Sequence, residues 1–507
     1  MTHAWLACAF VRTAAIHGKG GVEVQFRGRT VVAFVLLTMI ATMAITLTWA
    51  DQRMLKDAGK RPAVSAAAAE GKGFSKAELS KMNTVLDLIE TKYVHEMDRN
   101  KLVDGAVRGM MTSLNDPYSV YMEKDTAQHF SETIEGSFTG IGAEVTMDKG
   151  RITIVSPIKD SPAERAGLMA KDVVVSVNGE KLDGLSLNEA VGKIRGPKGT
   201  KAKLNIVRSG YAEPIELILV RDDIDVETVY AKKRDDGIGV IEIRQFSWNT
   251  ADRFKEELAR LEENGGLKGL VIDVRNNPGG VLPVVVEVAQ SFVPKEETIV
   301  QVEDRDGKRD ASKSKDGVAK KYPLVVLINK GSASASEILA GALKERANAV
   351  LIGETTFGKG TVQVSYNKSL GDGSLVKMTI AKWLTPDGNW IHEKGIKPDI
   401  EVQPPALYNA VRLSLAEPLH KDMLGEQVRS VQVMLGGLGY DLDRYDGYFS
   451  DGTAQAVKSF QSDAGLSATG EVDVKTAEAL EQAVVKWLRD EGHDLQMIEA
   501  IKAAGRK

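Results

Sequence analysis

"YPLVVLINKGSASASEILAGALKERANA", residues 322–349, decides how this chain is read. Five apolar residues in a row, LVVLI, suit a strand buried on both faces. Six residues that are all glycine, serine or alanine follow, at 331–336, and then a helical pattern. A strand that passes through a small-residue turn into a helix is a unit of α/β architecture. The turn also puts hydroxyls at a helix N-terminus, where backbone N–H groups can stabilise an oxyanion. Ser332, Ser334 and Ser336 are all placed for this, or simply to cap the helix.

A nucleophilic serine needs a base. The seven histidines (3, 17, 95, 129, 392, 420 and 493) fall in no recognisable motif, so a Ser-His-Asp arrangement has no obvious base. A lysine can serve where an apolar pocket lowers its pKa. "GETTFGKGT", residues 353–361, offers one. It falls one residue short of the phosphate loop G-x-x-x-x-G-K-[ST]: Gly353, Gly358 and Lys359 fit, but Gly360 stands where a Ser or Thr should hold magnesium. A phosphate loop must also open a helix. Here "GTVQVSYN" follows, β-branched at period two, which is strand chemistry. Lys359 is therefore read as a base. Its flanks are Phe357, Gly358, Gly360 and Val362, with no acid beside it.

Working outward, residues 226–402 continue the α/β pattern. "GIGVIEIRQF" reads as a strand, "NTADRFKEELARLEENGG" as a helix, and "LKGLVIDVRNNPGG" as a buried strand ending in a turn. Repeated β-β-α units suggest a crotonase-like core. Between 136 and 222 the period shortens to strands at 152–155, 173–177, 202–207 and 215–220. "GSFTGIGAEV", residues 136–145, is glycine-rich, which lets several N–H groups converge on one anion. Residues 75–130 read as helical, opening on a capping box at Ser75 and Glu78. Residues 424–480 form a compact helical pattern.

The 507 residues suggest about three domains. A net charge of −4 gives no basic field for nucleic acid. Cys8 is the only cysteine, which excludes a disulfide framework and a cysteine zinc site, and the histidines show no metal-ligand spacing. "DLDRYDG", residues 441–447, misses calcium-loop spacing and reads as a turn. No metal or cofactor is implied. Residues 30–50 are uncharged and long enough to cross ~30 Å of hydrocarbon, with Arg27 and Arg29 before them. They are a membrane anchor or, alternatively, a signal peptide.

"SPAERAGL" and "KDVVVSVNGE", in order after "GSFTGIGAEV", resemble a PDZ domain. The resemblance implies that Phe138, Thr139, Gly140, Ile141 and Gly142 receive a peptide's C-terminal carboxylate, while Leu187 and Val191 line the groove. "GSASASE", "DVRNNPGG", "NDPYSVYM" and "GIKPDIEV" together resemble the carboxyl-terminal processing peptidases, serine endopeptidases with a Ser-Lys dyad. The resemblance covers about residues 75–405. It implies Ser334 as nucleophile and Lys359, 25 residues on, as base. Gln363 would then orient Lys359, and the N–H groups of Gly280 and Ala335 would form the oxyanion hole. Arg195 stands near an arginine that in some relatives aligns the site on peptide binding; a solvated helix-end cation is the other reading. His392 departs from the family pattern, where a glutamine is expected. Residues 424–480 resemble a three-helix peptidoglycan-binding repeat, with a dimer interface or a cap on the protease core as the alternative.

The expected plan is a multidomain α/β (α+β) protein. A cytoplasmic tail (1–29), an anchor or uncleaved signal (30–50) and a linker (51–74) precede a helical region (75–132). A PDZ domain (133–222) and a Ser-Lys protease core (223–405) follow. A linker (406–423), a peptidoglycan-binding domain (424–484) and a helical tail (485–507) end the chain. Partners are proteins or peptides with free C-termini, peptidoglycan and the membrane through one helix; a homo-oligomer stays open. The catalytic part lies outside the cytoplasm. A catalytically silent PDZ and cell-wall scaffold is the rival reading.

Overall fold

The computed structural model describes residues 73–506 except 149, 159, 209, 210, 212, 264, 265 and 368. The apolar run at 30–50 lies outside them. Among the described residues no helix is long and apolar enough to cross a membrane. The chain divides into two compact units between Leu102 and Val103. In the first, α1 (Lys76–Lys92) opens on the expected capping box: Ser75 Oγ accepts from Glu78 N, and the Glu78 carboxylate accepts from Ser75 N at 2.7 Å. Helix α2 (Arg99–Thr112) spans the division.

The second unit begins with β1 (Val120–Met122) and α3 (Lys124–Glu135). Strand β2 (Ser137–Gly140) then pairs with β9 (Asp222–Asp225), a ribbon that ties together the two ends of the intervening domain. The paired ends carry that domain to residue 225, slightly past the expected 222. Within it, β3 (Ala143–Asp148), β4 (Arg151–Pro157), β5 (Val173–Val177), β7 (Lys201–Val207) and β8 (Ile215–Val220) form an antiparallel sheet in that order. Short β6 (Glu180–Lys181) pairs with β5. Ile152 and Ile154, and Ala202, Leu204 and Ile206, alternate into the core. Helices α4 (Pro162–Arg165) and α5 (Leu187–Ile194) complete the domain, and α5 packs beside the edge strand β3.

The larger α/β core is built on β10 (Val229–Lys233), β11 (Ile238–Ile243), α6 (Thr250–Glu262), β12 (Gly269–Asp273) and α7 (Leu282–Ala289). These are followed by β13 (Thr298–Asp304), β14 (Arg309–Lys313), β15 (Leu324–Ile328) and α8 (Ala335–Ala347). The last strands are β16 (Val350–Gly353), β17 (Thr361–Tyr366), β18 (Leu375–Leu384) and β19 (Ile400–Glu401). The main sheet runs β10-β11-β12-β15-β16-β19, parallel from β11 onward. Both β12 and β15 are buried at every position, as a central parallel strand should be. Leu270, Ile272, Leu324 and Val326 meet α6, α7 and α8 on one face. A second sheet runs β1-β18-β13-β14, with β17 also on β18. It brings the lysine loop across to the serine turn.

Helices α9 (Glu426–Gly437), α10 (Asp451–Asp463) and α11 (Val474–Leu488) enclose a separate core around Val431, Leu435, Phe449, Val457 and Leu480. The expected tail is something else. Helix α11 runs past residue 484, and α12 (Leu495–Ala504) returns to the main sheet. There Ala500 and Ala504 pack on Val240, Val271, Val325 and Leu327, the face opposite α6–α8. Arg275 forks onto Asp494 at 2.8 Å and also binds Asp273, while Gln496 Nε2 donates to Val402 O. The pattern alone reads as a tail because the partner of this apolar stripe lies over 100 residues away.

Candidate active site

Three serines stand in the turn between β15 and α8, and hydrogen bonding separates them. Ser332 Oγ donates to Val274 O at 2.7 Å and Ser336 Oγ to Asn277 O at 2.9 Å, and both residues are fully buried. Each thus stitches the turn to the neighbouring strand-end turn at 273–280. Ser334 is only half-buried and faces a cleft. Its backbone has φ 55 and ψ −111, the positive-φ region that a side chain rarely adopts, held here by the surrounding bonds. It occupies the N-cap position of α8, so Ala335 carries the first amide of that helix, for which no intrahelical acceptor exists.

The facing turn supplies the glycines. A Cβ on Gly279 would lie 2.7 Å from Ala333 O and 2.9 Å from both Ala335 N and Ser334 Cβ. One on Gly280 would lie 2.1 Å from Phe246 O. Only glycine allows these approaches, which bring the turn at Gly279 against the serine turn, and Gly280, Ser334 and Ala335 line one cleft. Asn277, fully buried, fixes the turn by donating to Ile243 O and accepting from Gly279 N, each at 2.8 Å.

Glu337 joins the serine turn to the lysine loop. Its carboxylate is fully buried and accepts four hydrogen bonds. Thr356 Oγ1 (2.6 Å) and Gly358 N (2.7 Å) donate to Oε1, and Ser334 N and Lys359 N donate to Oε2, both at 2.8 Å. A buried charge is tolerable when so many donors surround it. Trp383 Nε1 donates to Lys359 O, and Gly360 packs so tightly under Trp390 and His392 that a side chain there would overlap them. A phosphate-loop Ser or Thr could not fit.

Lys359 points into the same cleft of about 730 Å³ as Ser334, Gly280, Ala335 and Gln363. Its Nζ stands 5.0 Å from the centre of the Tyr118 ring. Burial lowers its pKa to about 8; the Lys377 cation adds to this, while Asp116 and Glu337 oppose it. Gln363 lies on the cleft wall with Nε2 donating to Thr361 and Thr379, so it meets Lys359 through no hydrogen bond of that amide nitrogen. His392 stacks on Trp390 and accepts from Gly360 N at 3.3 Å, touching the loop but not the serine.

Sequence reading missed Glu337, Tyr118, Asp116 and Lys377. The first had a signal, since Ser334 and Glu337 form an S-x-x-E pattern at a helix start. The others reach the cleft only through the pairing of β18 with β1 and β17.

Comparison with known proteins decides the family. The chain is 47% identical over 428 residues to Carboxy-terminal processing protease CtpB of Bacillus subtilis (strain 168), covering 84% of this chain and 88% of that protein. It is 43% identical over 426 residues to Carboxy-terminal processing protease CtpA of the same organism, covering 84% and 90%. The chain belongs to the carboxy-terminal processing proteases. Peptidase family S41 matches residues 237–402, a PDZ domain 153–208, a peptidoglycan-binding domain 425–480 and the activating protease CtpB N-terminal domain 36–126. Among solved structures, the photosystem II D1 C-terminal processing protease shares 31% identity over 64% of this chain and 87% of its own, with a TM-score of 0.38.

In this carboxy-terminal processing protease the PDZ residues are placed unevenly. Phe138 and Thr139 belong to the β2–β9 ribbon, where Thr139 Oγ1 donates to Asp223. Ile141 and Gly142 turn their carbonyls inward: Ala163 N donates to the first, and Ile158 N and Ser161 Oγ to the second. That leaves the amide side of the loop for an acceptor. Leu187 and Val191 sit half-buried on α5, beside β3. Arg195, at the end of α5, is no solvated cation. It pairs with Glu132, meets His129 Nδ1 at 3.1 Å and covers the Phe138 ring at 5.0 Å. Glu132 lies on α3, whose residues Phe130, Ser131, Thr133 and Ile134 line the protease cleft.

Proposed function

We propose that this serine-type protease uses Ser334 as nucleophile and Lys359 as general base and acid. The observation that carries this is Glu337, whose single carboxylate holds the backbone of both residues at one cleft. Neutral Lys359 takes the Ser334 proton as Oγ attacks the scissile carbonyl. The N–H groups of Gly280 and Ala335 receive the oxyanion. The lysine ammonium then protonates the leaving amine, and Lys359 activates the water that hydrolyses the acyl-enzyme. Gln363 contributes its remaining carbonyl oxygen to orient Lys359.

Substrates are selected by their C-termini. The loop at Gly140–Gly142 takes the carboxylate, Leu187 and Val191 take the side chains, and the peptide adds a strand to β3. Arg195 relays occupancy of the groove to α3 and the cleft. The apolar run at 30–50, after Arg27 and Arg29, supports a membrane anchor with the catalytic part outside the cytoplasm. The peptidoglycan-binding domain adds a second attachment, and co-sedimentation of the protein with purified sacculi checks it.

Ser334→Ala and Lys359→Ala test the dyad. Each should reduce peptide cleavage to near background, and the double variant should be little worse, because residues that act as a unit are not additive. The parent's kcat/KM should rise with pH through about 8, since the deprotonated lysine is the working form. Substantial turnover by Lys359→Ala would assign the base elsewhere.

A further inference from the structure

Lys377 is a second lysine in the cleft. It lies on β18, opposite Ser365 of β17 and Val120 of β1, and lines the same wall as Lys359 and Gln363. Its Nζ stands 5.1 Å from the centre of the Phe130 ring, much as Lys359 Nζ stands over Tyr118. Neither amine has a hydrogen-bonded acid among the described residues. A lysine has a flexible stem that usually carries its charge out to water. Here the charge stays against an aromatic ring in a half-closed cleft, where packing alone would be served as well by methionine or leucine.

We propose that Lys377 is a positioning residue of the proteolytic reaction: a second cation, held on the wall of the same cleft, that acts on Lys359 through its charge. The role rests on the reading of Lys359 as the base. Two ammonium groups in one poorly hydrated cleft repel, so one proton is lost readily. The groups that face Lys359 come from several elements. Asp116 and Tyr118 stand in the turn before β1, Glu337 on α8 and Lys377 on β18, while His392 and Glu393, in the loop after β18, act on Tyr118. Glu135 at the end of α3 lines the same cleft. Of these, Asp116 and Glu337 favour the charged lysine and Lys377 opposes it. Burial also lowers Lys377, with the Asp116 carboxylate opposing the shift. The same cation also helps the reaction's second half. A protonated Lys359 beside Lys377 is a stronger acid and passes its proton more readily to the leaving amine.

Lys377→Met and Lys377→Arg in the full-length protein test this with two readouts. In a Ser334→Ala background, the pH dependence of Lys359 modification by 2,4-dinitrofluorobenzene, followed by mass spectrometry, reports the state of Lys359 without any catalysis. Lys377→Met should move that midpoint upward by at least about half a unit, and Lys377→Arg should leave it in place. With Ser334 intact, the acid limb of kcat/KM should move the same way. The methionine variant should then be roughly threefold slower at pH 7 and recover at high pH. An unmoved Lys359 midpoint, or a loss of rate equal at every pH, overturns the proposal. Turnover by Lys359→Ala would instead remove the step through which Lys377 acts, while the modification midpoints would still record the effect of its charge.

Discussion

Two glycine turns in this molecule carry the proposed sites for a negative oxygen, and their walls differ. At the protease turn the neighbours of Gly279 and Gly280 are mostly backbone: Ala333 O, Ala335 N and Phe246 O, all within 3 Å of an added Cβ. At the PDZ loop, a Cβ on Gly140 would first meet the Phe138 ring at 3.2 Å and then Arg195 Cγ at 3.8 Å. Those walls are side chains, and one is the arginine that reaches α3. An oxyanion exists only near the transition state, so its site gains by being fixed beforehand. A peptide carboxylate arrives already charged, and its site can adjust around it. The rigid turn is suited to chemistry and the softer one to recognition that is passed on.

The largest effect should come from the rigid turn. Gly280→Ala should lower kcat about 10²–10³-fold with KM little changed, in steady-state cleavage of a soluble peptide by protein whose circular dichroism matches the parent. A kcat within a few-fold of the parent would remove the oxyanion role and with it the contrast. The next effect lies at the soft loop. Amidating a substrate's C-terminus removes a charged acceptor and should raise KM about tenfold or more. Equal kcat/KM for the acid and the amide would take this task from the PDZ domain. Gly140→Ala should be the mildest, within about threefold in KM, because the Phe138 ring can give by a few tenths of an ångström. A loss as large as that at Gly280 would show that both turns are equally stiff.

The parts of the fold that were legible share a cause. Strands 173–177 and 215–220 match β5 and β8 because each is a short run rich in valine, isoleucine or leucine bounded by turns. The serine turn was legible as a place but not as a choice. Residue chemistry alone left three serines, and the family resemblance pointed to Ser334; the physical separation comes from the acceptors Val274 O and Asn277 O, in a turn some 60 residues earlier, which tie down Ser332 and Ser336. Lys359 was legible by its apolar flanks and by the strand that follows it. The acids that hold its proton were not, because Asp116 and Glu337 come to it across sheets and a helix. Lys377 drew no reading from the sequence, since nothing local says that Phe130 lies across from it. The PDZ domain's end shifted to 225 because its last strand pairs with its first, a register that no local pattern encodes.

Helix α12 changes what kind of object the wall-binding domain is. The chain leaves the protease sheet at β19 and comes back to it at Asp494, whose carboxylate is forked by Arg275, and at Ala500 and Ala504. The three helices between are therefore a handle fastened at both ends, not a weight on a string. A nick anywhere in 406–423 would leave them clipped in place. Once they grip a polymer, the mouth of the protease has a set bearing relative to that polymer.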